Sequence, residues 1–222
     1  MRFSVFALLV IFIAACKRPP VASVKPPPQV RIAQLREGDI LFQKLPCGSL
    51  CDAIIETTPC SEAHAFNHCG VFRYAGGQPV VVEAIGTRVQ QTPLATFMQR
   101  DTAARLSVGR VADGAVAESA AKKSGQYLGR PYDDAFVPGD SALYCSELIW
   151  ETYQGPTGPL FTLQPMTFRS GGRTHPGWVE YYMKLGVAIP EGEPGINPCG
   201  IAGSEAVSMM AIPKTELRPT QP

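Results

Sequence analysis

Apolar residues recur along this chain in short runs whose period changes, and the changes mark out its elements. Gly38-Asp39-Ile40-Leu41-Phe42-Gln43 is an apolar run entered through a turn, which predicts a first strand. In Leu50-Cys51-Asp52-Ala53-Ile54-Ile55 the apolar positions fall at i, i+4 and i+5, the spacing of a brief helix that ends before Pro59. Asn67 to Tyr74 and Pro79 to Ile85 are two β-rich runs divided by Gly76-Gly77, and together they predict a hairpin. Period 2 puts His68 and Cys69 on opposite faces, so a His68 turned to a cleft implies a Cys69 turned to the core. Thr92 to Met98 suits a short helix with Thr92 as cap and Pro93 in its first position. Leu106 to Val111 is a further strand. Asp113 then caps a helix reaching Leu128, with Val116, Ala120 and Tyr127 inward, stopped by Gly129 and Pro131.

The stretch from Asp140 to Tyr153 organises the rest. Cys145, Ile149 and Tyr153 recur at i, i+4, i+8, with Tyr144 and Leu148 in a neighbouring row, and Asp140 and Ser141 are both good N-cap residues. A thiol in the first turn of such a helix meets unpaired backbone N–H groups and the positive end of the dipole, which favour thiolate. The segment alone fits two readings, an activated nucleophile or a small hydrophobe in a buried helix. Pro176 to Leu185 predicts one more helix, with Trp178, Tyr182 and Leu185 on one side, and the end is turn-rich from Pro190 and loosely ordered past Thr215. The expected fold is α+β: a small antiparallel sheet of four to six strands with the cysteine helix packed across it.

Composition narrows the setting. With 222 residues, 45% hydrophobic, the chain is large enough for one cored domain, and a net charge of +1 without a basic run argues against nucleic acid as the partner. Arg2, the apolar run Phe3 to Ile13 and the ending Ala14-Ala15-Cys16 read as a signal segment. Ile13-Ala14-Ala15-Cys16 resembles a bacterial lipobox, which implies removal of residues 1–15 and a lipid anchor on Cys16; a soluble secreted protein is the alternative. Lys17 after the cysteine is similar to outer-membrane lipoproteins facing the periplasm. Pro19, Pro20, Pro26, Pro27 and Pro28 then make an extended tether over residues 16–35, ahead of a catalytic domain at 36–222. Export makes disulfides admissible, and Cys47, Cys51, Cys60 and Cys199 allow three pairings among which the sequence does not choose.

A cysteine nucleophile needs a base and a group to orient that base. His68 and Glu83 lie on the two strands of one predicted hairpin, where cross-strand neighbours stand about 5 Å apart. Glu83 interrupts an apolar strand, and exposure at the strand end would satisfy it equally well. Cys60, His64, His68 and Cys69 fall within ten residues. Because His68 and Cys69 point oppositely and no CxxC pair is present, neither a metal nor another cofactor is expected. Tyr144 is placed either to line a cleft or to pack. Asp133 and Asp134 are turn formers whose loop leads into the cysteine helix and can touch substrate.

Gly38-Asp39-Ile40-Leu41-Phe42, Asn67-His68-Cys69-Gly70-Val71, Val82-Glu83-Ala84, Tyr127-Leu128-Gly129-Arg130-Pro131-Tyr132-Asp133 and Tyr144-Cys145-Ser146-Glu147-Leu148 together resemble the permuted papain-like enzymes of the YaeF/YiiX type, within the NlpC/P60 superfamily. The resemblance covers residues 36 to 153 and implies a circularly permuted papain-like fold in which the histidine precedes the cysteine. It implies Cys145 as nucleophile, His68 as base and Glu83 as third member; Tyr144 and Asp133, by their positions next to the cysteine and in the loop that feeds its helix, are the substrate-binding candidates. Cys69 departs from the family, which more often has an aliphatic residue there. The implied activity is amide or peptide hydrolysis through a thioester, on peptidoglycan-derived peptides or small N-acyl amino acid compounds. Lipid acyl transfer or thioester hydrolysis, or ligand binding without catalysis, are the alternatives on the same scaffold.

Overall fold

Among the described residues, the period-2 runs form one antiparallel sheet of six strands: β1 (Ile40–Gln43), β2 (His68–Ala75), β3 (Gln78–Ile85), β4 (Arg88–Pro93), β5 (Arg105–Val111) and β6 (Val207–Pro213). Their spatial order is β6-β5-β1-β2-β3-β4. The helices are α1 (Ser49–Thr57), α2 (Leu94–Gln99), α3 (Gly114–Ser124), α4 (Cys145–Thr152), α5 (Pro176–Leu185) and α6 (Pro198–Ala202). The structure is a computed structural model that describes residues 27–58, 60, 65–103, 105–139, 141–213 and 216. The expected signal segment 1–15, the anchor Cys16, His64, Asp140 and the tail beyond Glu216 lie outside the described residues.

Alternation along the strands sorts the core into two faces. Ile40, Phe42, Cys69 and Val71 pack against α3 and α4 through Val116, Ala120, Ile149 and Tyr153. Leu41, Phe72, Val81 and Val108 pack the other way, against Leu94, Phe97 and Met98 of α2. Each large apolar side chain buried this way contributes roughly 1.5–3 kcal/mol, which makes the register of the central strands costly to shift. Val30 and Leu35 are buried on the α2 face, and Val30 N–H bonds the Ala211 carbonyl at 2.9 Å. The boundary expected at residue 36 therefore falls inside the packed unit.

Val71 stands opposite Val82, which sets the register of the β2–β3 hairpin and places Glu83 opposite Gly70, diagonal to His68. Gly70 permits this approach, because a Cβ there would lie 2.6 Å from Val81 Cγ1 and 3.2 Å from the Glu83 Cβ.

Three expectations are corrected. Thr92 does not cap α2: it ends β4, and its hydroxyl donates instead to the Glu83 carboxylate at 2.5 Å, while Pro93 stands at the N-cap. The helix expected from Asp113 to Leu128 ends as α-helix at Ser124 and continues only as a 3₁₀ turn, Gly125–Tyr127, although Asp113 does cap its start. Ser141 does not cap α4. Tyr144 is its N-cap, and the Glu147 carboxylate reaches back to accept the Tyr144 N–H at 3.4 Å and the Gly139 N–H at 3.1 Å. Cys145 is thereby the first helical residue. The disulfides are Cys47–Cys51 and Cys60–Cys199, with Cys69 and Cys145 free.

Candidate active site

Cys145 at the head of α4 meets His68 at the start of β2 because α4 packs along β2 and β3. His68 Nε2 is 2.6 Å from Glu83 Oε2, so Nδ1 is the ring nitrogen left to face the Cys145 sulfur, with which His68 makes a side-chain hydrogen bond. The three residues proposed from the sequence are thus brought together in the order sulfur, imidazole, carboxylate. Glu83 has no solvent exposure and is not satisfied at a strand end. It accepts from Thr92 Oγ1 and, at 2.7 Å to each carboxylate oxygen, from Arg100 Nη2. An unpaired buried carboxylate would be expensive; this one has three partners.

The electrostatics follow from those contacts. Burial alone would depress the proton affinity of His68, but hydrogen bonds and charge from Cys145 and Glu83 override it and raise its pKa to about 9. Cys145 is held well below the ordinary thiol range. Hydrogen bonding from Cys69 is the largest cause, working against desolvation and supported by His68 and by the Cys69 backbone. Burial and the neighbouring Cys145 push the Cys69 thiol up, so Cys69 stays protonated and can donate to the sulfur beside it. Burial raises Glu83, and His68, Arg100 and Thr92 together more than reverse this. Near neutral pH the resting site is a thiolate–imidazolium pair over an ionised carboxylate.

A cleft of about 480 Å³ opens beside Cys145. Its walls include Ile54, Tyr132, Phe136, Tyr144, Leu160, Phe161, Met166, Phe168, Trp178 and Ile196, with uncharged polar side chains such as Asn67, Gln164 and Asn197 between them; apart from Cys145 itself, no described lining residue is an Asp, Glu, Lys, Arg or His. Phe136 is the wall's keystone. Its backbone sits at φ 57°, a region a bulky residue rarely adopts, and its ring stands edge-on to Tyr144 at 5.4 Å and Trp178 at 5.6 Å. Asp133 holds that turn, accepting the Ala135 N–H at 2.8 Å and the Val137 N–H at 2.7 Å on either side of Phe136. The substrate-binding role expected for Asp133 is therefore corrected: its carboxylate is committed to its own loop, and it does not line the cleft. Tyr144 does line it, with its hydroxyl accepting the Ile196 N–H at 3.1 Å, while Ser146 Oγ donates to the Ile196 carbonyl at 3.0 Å. The residues flanking Cys145 thus clamp the C-terminal loop as the opposite wall, and Cys60–Cys199 ties that wall to the approach to β2.

Sequence reasoning passed over Arg100, Thr92, Tyr132 and Phe136 as site residues. Tyr132 lies in the motif Gly129-Arg130-Pro131-Tyr132-Asp133, which was the available signal. Its phenol lines the cleft, and burial together with the Cys145 charge pushes its pKa far up, so it remains a hydrogen-bond donor.

This fold and geometry define a papain-like cysteine site in permuted order, and the family comparison agrees: the model of the permuted papain-like amidase enzymes, YaeF/YiiX, C92 family, matches residues 34–210. The chain belongs to that family of permuted papain-like amidase enzymes. It is 34% identical over 128 residues to the uncharacterized protein YiiX of Escherichia coli (strain K12), a match spanning 56% of this chain and 60% of that relative. The crystal structure of metalloprotein yiiX from Escherichia coli O157:H7 superposes with a TM-score of 0.64 at 25% identity, covering 82% of this chain and 96% of that one. In this chain the described residues gather no group of three or more His, Cys, Asp or Glu side chains fit to hold a metal ion. The two donors at its centre, the Cys145 sulfur and the His68 ring, are committed to each other.

Proposed function

We propose that the protein is a cysteine amidase that releases an amine from a substrate whose acyl group is uncharged and apolar, by way of a thioester on Cys145. The observation that carries the reading is the junction of a thiolate–imidazolium pair with a cleft of about 480 Å³ in which, apart from Cys145, no described lining residue is ionisable as an acid or base near neutral pH. That volume lies within the roughly 300–1,000 Å³ of small-molecule sites. The Cys145 thiolate attacks the amide carbonyl carbon. Backbone N–H groups in the first turn of α4, with the Tyr132 phenol facing the same cleft, receive the developing oxyanion. His68 gives its proton to the leaving amine, then takes one from water as that water opens the thioester, and release of the acid restores the thiolate.

An uncharged cleft favours N-acyl amino acid compounds over the highly charged stem peptides of peptidoglycan. It also supports a second reading, in which the same thioester is formed from a lipid ester. A lipid anchor on Cys16 would place either activity at the periplasmic face of the outer membrane. The deciding experiment incubates the soluble domain separately with a long-chain N-acyl alanine, a muropeptide mixture and phospholipid vesicles. Intact mass would show an acyl adduct on Cys145, and released amine or fatty acid would be quantified. Amine release from the N-acyl alanine is expected; release from muropeptides alone would overturn the acyl assignment, and fatty acid from vesicles alone would overturn the amide assignment.

A further inference from the structure

We propose that Arg100 is a positioning residue of the Cys145–His68–Glu83 centre: it fixes the Glu83 carboxylate against the imidazole and limits how firmly that carboxylate holds a proton on His68. The inference rests on the amidase reading above and concerns how its base is set. Arg100 follows α2 at the C-cap, and its Nη2 sits in the fork of the carboxylate, 2.7 Å from Oε1 and 2.7 Å from Oε2. Oε2 also meets His68 Nε2 at 2.6 Å, so one buried oxygen is shared between a guanidinium and an imidazole. The guanidinium carbon lies 5.3 Å from the centre of the Phe97 ring, and that ring stands 6.1 Å from the His68 ring. Phe97 is therefore a neighbour of both the guanidinium and the imidazole.

The charged and titratable groups facing His68 and Glu83 come from four elements: Cys145 of α4, Cys69 beside His68 on β2, Glu83 itself on β3 and Arg100 after α2. Thr92 of β4 adds a neutral donor. Glu83 has no contact with solvent, so these groups alone determine how its charge is felt. With Arg100 in place much of that charge is answered on the outer side. Without Arg100 the full carboxylate acts on His68 and stabilises the imidazolium. The thiolate still forms, but the imidazolium then yields its proton less readily to the leaving amine, and deacylation needs a neutral imidazole to accept a proton from water. Loss of Arg100 therefore slows turnover at neutral pH and moves its optimum upward, a pattern that general loosening of the fold does not produce.

The test is an NMR titration of the histidine rings in the full soluble chain, with the His68 signal assigned by its absence in His68→Gln. Arg100→Gln is expected to raise the His68 midpoint by about one pH unit, a tenfold gain in proton affinity. Arg100→Lys should stay close to the native value, and Thr92→Val, which keeps the guanidinium, should give a smaller rise. Alkylation of Cys145 at neutral pH should persist in all three. A midpoint that is unchanged or lower in Arg100→Gln overturns the proposal; if that variant does not fold, an unchanged or lower midpoint in Arg100→Met does so. The titration needs no substrate, so it remains readable even if the amidase reading fails.

Discussion

The two sides of Cys145 are built from opposite materials. On one side stand His68, Glu83, Arg100 and Thr92, a chain of charged and hydrogen-bonded groups around a carboxylate with no solvent exposure. On the other lies a cleft walled by Phe136, Trp178, Leu160 and Ile196 with no Asp, Glu, Lys, Arg or His among the described lining residues. The difference teaches that the charges of the centre are fixed by the fold, whereas the cleft offers shape, apolar area and uncharged polar groups. Hydrophobic burial is non-directional, at about 0.8 kcal/mol per methylene, so such a wall selects for size and lack of charge rather than for one functional group.

The largest effect breaks the reactive side at its centre. Cys145→Ala should abolish turnover by at least about 10³-fold and remove the acyl adduct. Its melting temperature should stay close to the native value, since one small buried group is replaced by another. A surviving activity would dissolve the contrast. Next, Glu83→Gln should lower kcat by roughly 10²-fold or more, because an amide neither stabilises the imidazolium nor fixes its tautomer as a carboxylate does. Stopped-turnover kinetics with a long-chain N-acyl substrate would read it.

Smaller effects sharpen the other side. Leu160→Glu puts a charge on a half-buried wall position and should raise KM for an apolar acyl group by about 10- to 100-fold, the cost of a few kcal/mol for meeting a poorly solvated charge. Alkylation of Cys145 should be unchanged. An equal fall in kcat would show that the two sides are not separable. Asp133→Asn should have the least effect: with weaker acceptors for Ala135 and Val137, Phe136 relaxes, KM rises severalfold and stability falls by about 1 kcal/mol, measured by denaturant unfolding.

Much of the reactive side was legible because its signals are local. Helical spacing marked α4, and the two β-rich runs around Gly76-Gly77 carried His68 and Glu83 to one hairpin. The sheet and its antiparallel character followed from period 2. Arg100 was not legible, since it meets Glu83 only after β4 turns into α2, and no periodicity links the two. β4 escaped notice because Gln90 and Gln91 interrupt it and its single apolar anchor before Pro93 is Val89. Thr92 read as a cap for want of its buried partner. The helix start was misplaced because capping propensity favoured Asp140 and Ser141, while Glu147, three residues inside α4, holds the terminus from within. The cleft draws on residues from α1, the 132–136 loop, α5 and the C-terminal loop, a gathering that only tertiary packing reveals.

The central claim is that Cys145 rests as a thiolate paired with protonated His68, and the pH dependence of its alkylation tests this most directly. Cys145 lies well below the ordinary thiol range and His68 is raised to about 9, so the pair exists between those two titrations. The stability His68 contributes has the same upper limit: it is fully present below about 6.5, its unfolded value, and is lost as pH rises through about 9. Iodoacetamide should therefore modify Cys145 rapidly at neutral pH, at a rate nearly constant across neutrality and changing again only as His68 loses its proton near pH 9. A rate no faster than that of free cysteine, rising with a single midpoint near 8.5, would contradict the account.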